Sequence, residues 1–178
     1  MASFGTDHII NPFERFAEHL AMAVAAPERF RLMELLTSLP ESPIPAPHRP
    51  PKGHWILCGY GRFGHAIANR LAATGIQLTI IDPKAADADH SIPGDGTEAH
   101  SLLQAGIADA AGIIGGTDND VNNLSIAVTA HQLNPALFVV VRQNHSANGA
   151  LFDAYGADFT MVHSQIVAQE CIAILTAP

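Results

Sequence analysis

The stretch His54-Trp55-Ile56-Leu57-Cys58-Gly59-Tyr60-Gly61-Arg62-Phe63-Gly64-His65-Ala66-Ile67 decides the fold of this chain. An apolar strand turns through three glycines into a helix on which Phe63, Ile67 and Leu71 recur every fourth residue. Gly59 permits the tight turn, Gly61 leaves room for a diphosphate against the backbone, and Gly64 lets the helix pack closely on the strand it has just left. The unpaired N–H groups of the helix start face an anion, with the helix dipole behind them. A second strand, Leu78-Thr79-Ile80-Ile81, ends in Asp82, eighteen residues after Gly64. That acid stands where a ribose hydroxyl pair is caught.

Composition sets the outer limits. With 178 residues the chain suits one domain plus an appendage, and 48% hydrophobic content is ample for a core. A formal net charge of −8 argues against nucleic acid or an anionic membrane surface as partner, since both call for clustered Lys and Arg. The ten histidines are scattered and show no metal-ligand spacing. Two cysteines, Cys58 in the first strand and Cys171 in the last helix, imply no disulfide framework and fit a reducing compartment. Cys58 reads as a small buried apolar residue rather than a nucleophile. No apolar run reaches the ~18 to 20 residues of a transmembrane helix, and the N-terminus lacks a signal-peptide pattern.

Two domains are expected: residues 1–52, amphipathic helices and a proline-rich linker, and residues 53–178, the nucleotide-binding unit. Phe13, Phe16 and Leu20 share one helical face, and Pro27 restarts a second short helix bearing Phe30, Met33 and Leu36. These helices have no core of their own, so they dock on the main domain, on a second copy or on a part of the protein outside this sequence. Leu39 to Pro51 is too rich in proline for a helix or a sheet interior and reads as a semi-extended spacer.

From Gly53 onward strands and helices alternate with short connections, the pattern of a parallel sheet covered on both faces. Strands are predicted at 54–58, 77–81, 91–93, 111–115, 137–141 and 158–161. Helices are predicted to begin near Arg62, Glu98, Asn119 and Ser146, and a last one to run from about His163 to Leu175 with Ile166, Val167, Cys171, Ile172 and Leu175 apolar. Val121, Leu124, Val128 and His131 mark the expected stripe of the third of these. Pro83 to His90 is ambiguous and reads as a crossover reduced to a loop. The fold class is therefore α/β: a Rossmann-like, doubly wound parallel six-stranded sheet of order 3-2-1-4-5-6, with an N-terminal helical extension. Its ligand crevice falls at the carboxyl ends of the first and fourth strands.

Three more signals lie at those strand ends. In Pro93-Gly94-Asp95-Gly96-Thr97, Asp95 can accept from an adenine amine, or the segment is a plain turn with an N-cap at Thr97 and Glu98 in the first helical turn. Gly115-Gly116-Thr117-Asp118-Asn119-Asp120 offers hydroxyl, carboxylate and main-chain groups opposite the first glycine loop, with helix capping as the alternative. Arg142, after Val139-Val140-Val141, serves either as a charge for phosphate or a plane for a base, or as a solvated strand end.

The succession Gly59-Tyr60-Gly61-Arg62-Phe63-Gly64, Ile81-Asp82, Gly94-Asp95-Gly96-Thr97, Leu102 to Ile107, Thr117 to Asn122 and Tyr155-Gly156-Ala157-Asp158 resembles that of RCK domains. These are the regulator-of-K+-conductance, or Trk-type potassium-uptake N-terminal, domains on the cytoplasmic side of potassium channels and transporters. The likeness covers about residues 54–175, and its strength lies in the succession rather than in any one motif. It implies a regulatory module, not an enzyme, that binds NAD(H) or an adenine nucleotide (AMP, ADP or ATP) and controls potassium or cation transport. It further implies a homodimer formed through the Rossmann face, a higher ring in a full assembly, a transmembrane channel or transporter portion as partner, and a place at the cytoplasmic face of the inner membrane.

Residue by residue, the likeness gives the diphosphate to Gly59, Tyr60, Gly61, Arg62, Phe63 and Gly64, and the ribose to Asp82 with Pro83 beside it. It puts Asp95, Gly96 and Thr97 near the base, and Gly116, Thr117, Asp118 and Arg142 on the other side. In the family an arginine at the position of Arg62 can meet terminal phosphates, including those held by a partner subunit. The segment after Asp82 is shorter and richer in proline and alanine than usual, and Gly96 replaces a more common alanine. Met1 to Asn11 looks like the exit from a membrane segment, which suggests an excised cytoplasmic piece; a free-standing regulatory subunit is the alternative.

The main rival is an NAD-dependent oxidoreductase domain lacking its substrate domain. It needs an acid/base group near the nicotinamide, and no Tyr-x-x-x-Lys pair appears in the sequence. A methyltransferase would add an antiparallel strand for which residues 163–178 leave no room. A structural module with a decayed pocket sits poorly with intact Gly59, Gly61, Gly64 and Asp82. Asp82 would repel a 2′-phosphate and so argues against NADP.

Overall fold

Trp55 to Cys58 and Val139 to Val141 are buried without alternation, as strands covered on both faces must be. A computed structural model of the chain describes residues 10–37, 47–84 and 90–176. Two helices come first, α1 (Pro12–Ala25) and α2 (Pro27–Thr37). β1 (His54–Cys58), α3 (Arg62–Ala72), β2 (Gln77–Ile81) and β3 (Ser91–Ile92) form one half of the unit that follows. The other half is α4 (Ala99–Gln104), β4 (Gly112–Gly115), α5 (Asp120–Leu133), β5 (Phe138–Gln143), α6 (Gly149–Ala154), β6 (Phe159–Val162) and α7 (His163–Thr176).

The strands form one six-stranded sheet in the order β3-β2-β1-β4-β5-β6, every pair parallel, as the alternating pattern predicts. Cys58 is in register with Ile81 on one side and Gly115 on the other, so the three strands end together at the order reversal. The described strands differ from the expected limits by a residue or two: β3 stops at Ile92 and β5 runs on to Gln143. The ambiguous segment after Asp82 falls largely on residues 85–89, outside the described residues. Part of the proline-rich stretch, residues 38–46, lies outside them too.

Right-handed crossovers explain why α1 is needed. They place α3 under β1 and β2 on one face and the crossovers to β4, β5 and β6 on the other, which leaves the β4–β6 half of the first face bare. α1 and α7 fill that half: Phe16, Leu20 and Ile166 share a core with Ile114, Val140, Met161 and Ile67. Burial of side chains the size of Phe16 and Leu20 contributes about 1.5 to 3 kcal/mol each, before the cost of ordering the helix. By comparison, the exposed pairs from Arg70 to Glu14 (3.3 Å) and Glu18 (2.8 Å) add well under ~1 kcal/mol apiece. Of the docking options open to the N-terminal helices, α1 takes the main domain. The second core, on the opposite face, gathers Ile56, Leu102, Ile113, Ile126, Val139 and Phe152.

The expected apolar face of α5 needs correction, and those of α2 and α7 are covered only in part. On α5 the buried residues are Asp120, Asn123, Ile126, Ala127 and Ala130, with Leu124 partly buried against the same core, while Val121 is 74% exposed and His131 sets its Nε2 2.9 Å from the Gly156 carbonyl oxygen. On α2 only Phe30 is buried, against Phe159, and Leu36 is exposed. On α7 Ile166 is buried whereas Cys171 and Ile172 are exposed. The described end of the proline-rich stretch is anchored rather than free: His48 stacks on Phe159 and the Pro51 carbonyl accepts from Trp55 Nε1.

Candidate functional site

Main-chain geometry builds the site first. The Gly59 N–H continues the sheet by donating to the Ile81 carbonyl, after which Gly59 turns at φ +97°, where a side chain is strained. Gly64 then passes so close to the loop that a Cβ there would collide with the Gly59 carbonyl oxygen. At Gly61 the situation is opposite: φ is an ordinary −76°, and a Cβ would meet nothing within 4 Å. Gly61 is the N-cap of α3 and no side chain caps that helix, so its first N–H groups open onto free space.

Around that space lies a cavity of about 510 Å³. Gly59 to Phe63, Asp82, Pro83, Gly116, Thr117, Asp118 and Arg142 line it, bringing together most of the residues expected from sequence. Phe13 and Lys84 line it as well, and neither was expected. Gly64 stands behind the loop as its packing contact. The volume suits a nucleotide-sized ligand.

Asp82 is held in place by two main-chain donors, Tyr60 N–H to Oδ2 (2.7 Å) and Lys84 N–H to Oδ1 (2.8 Å). Each carboxylate oxygen keeps a further lone pair for a ligand hydroxyl. Asp95, Gly96 and Thr97 are not among the lining residues. Asp95 Oδ1 accepts from the Thr97 N–H and hydroxyl, both at 2.9 Å, closing an Asx turn. The expected N-cap at Thr97 is displaced to Glu98, whose side chain makes no capping bond. A Cβ at Gly96 would come within 2.7 Å of Cys58 Cβ and Sγ, so this glycine is required by packing. Burial, and after it the charge of Asp95, pushes the Cys58 thiol well above its usual range, which keeps it inert.

The opposite wall is set by two polar anchors: Asn123, which the sequence did not single out, and Asp120, the last residue of the run from Gly115. Asn123, fully buried, accepts from the Thr117 N–H (2.9 Å) and hydroxyl (2.8 Å) and donates to the carbonyls of Thr117 (3.0 Å) and Arg142 (2.7 Å). It fixes the loop after β4 to the end of β5. Asp120 accepts from Asn144 N–H and Nδ2, His145 N–H and Asn148 Nδ2 at 2.6 to 2.9 Å. Burial alone would raise its pKa; these bonds outweigh burial and hold the carboxyl below its usual range. Asn119, meanwhile, caps α5 through Val121 and Asn122, so this segment serves both the helix and the cavity.

Two arginines supply the positive charge. Arg142 places its guanidinium carbon 4.8 Å from the Phe13 ring centre and 5.8 Å from that of Phe63, and Arg62 lies 5.8 Å from Phe13. Arg142 Nε is buried with no hydrogen-bond partner among the described residues. Burial lowers its pKa, Asp118 opposes that, and Arg62 adds to it; the group stays charged at any physiological pH. Open space at Gly61, a carboxylate with spare acceptors and an arginine with spare donors together fit a ligand that carries sugar hydroxyls and phosphates.

The family model of the TrkA-N domain matches residues 55–163. Potassium channel protein 1 of Methanocaldococcus jannaschii is 35% identical over 98 residues, which are 50% of this chain and 29% of that protein. The GsuK channel bound to NAD superposes with a TM-score of 0.61 at 28% identity, over 75% of this chain and 24% of that one. The Kef CTD of Shewanella denitrificans in an AMP-bound form gives 0.62 at 26% identity, over 70% and 82% of the two chains. This chain spans between 15% and 29% of the length of the curated relatives it matches.

Proposed function

As this chain belongs to the TrkA-N domain family, we propose that it is a regulatory nucleotide-binding domain acting on a potassium channel or transporter. The supporting observation is the cavity itself, where an uncapped helix start, a pre-bonded carboxylate and two arginines converge on one open space. In this reading Gly59 to Gly64 cradle the diphosphate, Asp82 holds the ribose hydroxyls, and Arg62 and Arg142 meet the outer phosphate charge. Thr117 and Asp118, fixed by Asn123, close the opposite wall. Asp95, Gly96 and Thr97 serve the base only by shaping the turn beside it. The NAD and AMP held by the two solved relatives support NAD(H) or an adenine nucleotide as ligand.

The bound nucleotide supplies negative charge and is not chemically altered. Its effect on a transport protein follows from unequal affinity for two arrangements, commonly ~1 to 3 kcal/mol of coupling. Those arrangements are of a homodimer, or of a ring in a full assembly at the cytoplasmic face of the membrane. Large apolar side chains exposed on one helical layer, Leu103 of α4, Val121 of α5, and Leu151 and Tyr155 at α6, support a second copy covering that face. Membership of a potassium-channel relative supports the pore as partner. No described helix is long and apolar enough to cross a membrane.

Calorimetric titration with NAD+, NADH, AMP, ADP and ATP tests the reading. Micromolar binding of at least one, abolished by Gly61→Asp, supports it; equal heats for both proteins remove the assigned pocket.

A further inference from the structure

Phe13 belongs to α1, outside the strand-and-helix unit that carries the glycine loop, yet it lines the same cavity. Its ring meets Phe63 edge-on at 5.9 Å and faces the guanidinium groups of Arg142 and Arg62. A cation over a ring face uses none of its N–H donors, so the contact fixes Arg142 while leaving those donors for an anion. Neither arginine forms an ion pair among the described residues, and two like charges share one ring. A ligand phosphate relieves that repulsion. The rest of α1 is bound to the domain through Phe16 and Leu20 in the core and through Glu14 and Glu18 on Arg70 of α3.

We propose that Phe13 is a positioning residue, by which α1 holds the Arg142 guanidinium at the phosphate side of the cavity, so that docking of α1 and binding of a ligand phosphate strengthen one another. Thermodynamic reciprocity requires both directions: phosphate tightens α1, and loosening α1 weakens phosphate binding. The N-terminal helix is then a sensor of nucleotide charge as well as a cover for the sheet. This inference rests on the cavity being a nucleotide site.

Hydrogen exchange and calorimetry of the full chain with ADP test it, each variant being brought to saturation. ADP is expected to slow amide exchange in the glycine loop and across α1 of the unmodified protein. Arg142→Gln should keep the loop effect and lose the α1 effect. Phe13→Ala should weaken ADP about 3- to 10-fold and Phe13→Tyr should restore it to within about twofold, in line with the strength of partly desolvated cation–π contacts. Phe13→Ala should cost clearly less in the Arg142→Gln background, where only the more distant Arg62 still faces the ring. Loop protection with no change in α1, or the same loss from Phe13→Ala in both backgrounds, overturns the coupling alone. Absence of loop protection in the unmodified protein with every one of NAD+, NADH, AMP, ADP and ATP overturns the nucleotide site and the coupling together.

Discussion

The Asp82 carboxylate accepts the main-chain N–H of Tyr60 at 2.7 Å, tying the end of β2 to the middle of the glycine loop. The elements proposed to hold sugar and diphosphate are thereby one unit. Asp82→Asn replaces an acceptor oxygen with an NH2 group while the N–H groups of Tyr60 and Lys84 still converge on the site. The variant should lose about 0.5 to 1.5 kcal/mol of stability without ligand, because Asn keeps one acceptor oxygen and these part-buried and exposed donors lose a single bond. Nucleotide affinity should fall roughly tenfold or more, since bonds to a charged acceptor are among the stronger ones. Thermal unfolding and calorimetry read the two effects separately.

Two glycines of the same motif should answer oppositely to alanine. Gly64→Ala forces a methyl group into the Gly59 carbonyl and should cost roughly 1 to 3 kcal/mol of stability or more, visible as a lowered Tm. Gly61→Ala meets open space at an ordinary φ and should leave Tm within about a degree or two, because small exposed substitutions rarely exceed ±0.5 kcal/mol. It should nevertheless weaken nucleotide binding, since the methyl occupies the approach to the diphosphate.

Asp120 makes stability depend on acid. Its folded-state pKa is depressed, so its contribution is fully present above the unfolded value of about 3.9 and is lost as pH falls through the lower folded value. Stability of the unmodified protein should therefore drop as pH falls below about 4, and this part of the slope should vanish in Asp120→Asn. At neutral pH that variant should be less stable by about 1.5 to 3 kcal/mol, the range for bonds to a charged group. Denaturant unfolding at a series of pH values checks both.

Asn123→Leu should be the most damaging change outside the hydrophobic core. It strands the Thr117 N–H in a buried place and removes donors to the Thr117 and Arg142 carbonyls. A loss of about 2 to 4 kcal/mol follows from one buried orphan donor together with the lost bonds. Ligand affinity should fall with it, because the wall containing Thr117 and Asp118 loses its anchor. Urea unfolding measures the first and calorimetry the second.

The sheet was legible because parallel strands buried on both faces write continuous apolar runs, and because Gly59 and Gly64 each meet a distinct backbone demand. The core face of α5 was not, since periodicity counts apolar residues and that face is built from Asn123 and small alanines, leaving Val121 outside. Nothing in the spacing of Asn123 marks it as an anchor; its value comes from joining Thr117, six residues before it, to the Arg142 carbonyl nineteen residues after it. Phe13 was read correctly as apolar and helical, but its place in the cavity follows from how α1 seals a half-bare sheet. Asp95 and Thr97 satisfy each other, an outcome that the same four-residue motif allowed from the start.

The most direct measurement is a crystal structure of the chain with ADP. The account predicts density for the diphosphate against Gly61, within hydrogen-bond reach of the α3 N-terminal N–H groups, with the ribose hydroxyls on Asp82 and Arg142 turned to phosphate. ADP bound elsewhere would contradict it, as would a glycine loop left empty by every one of NAD+, NADH, AMP, ADP and ATP at saturation.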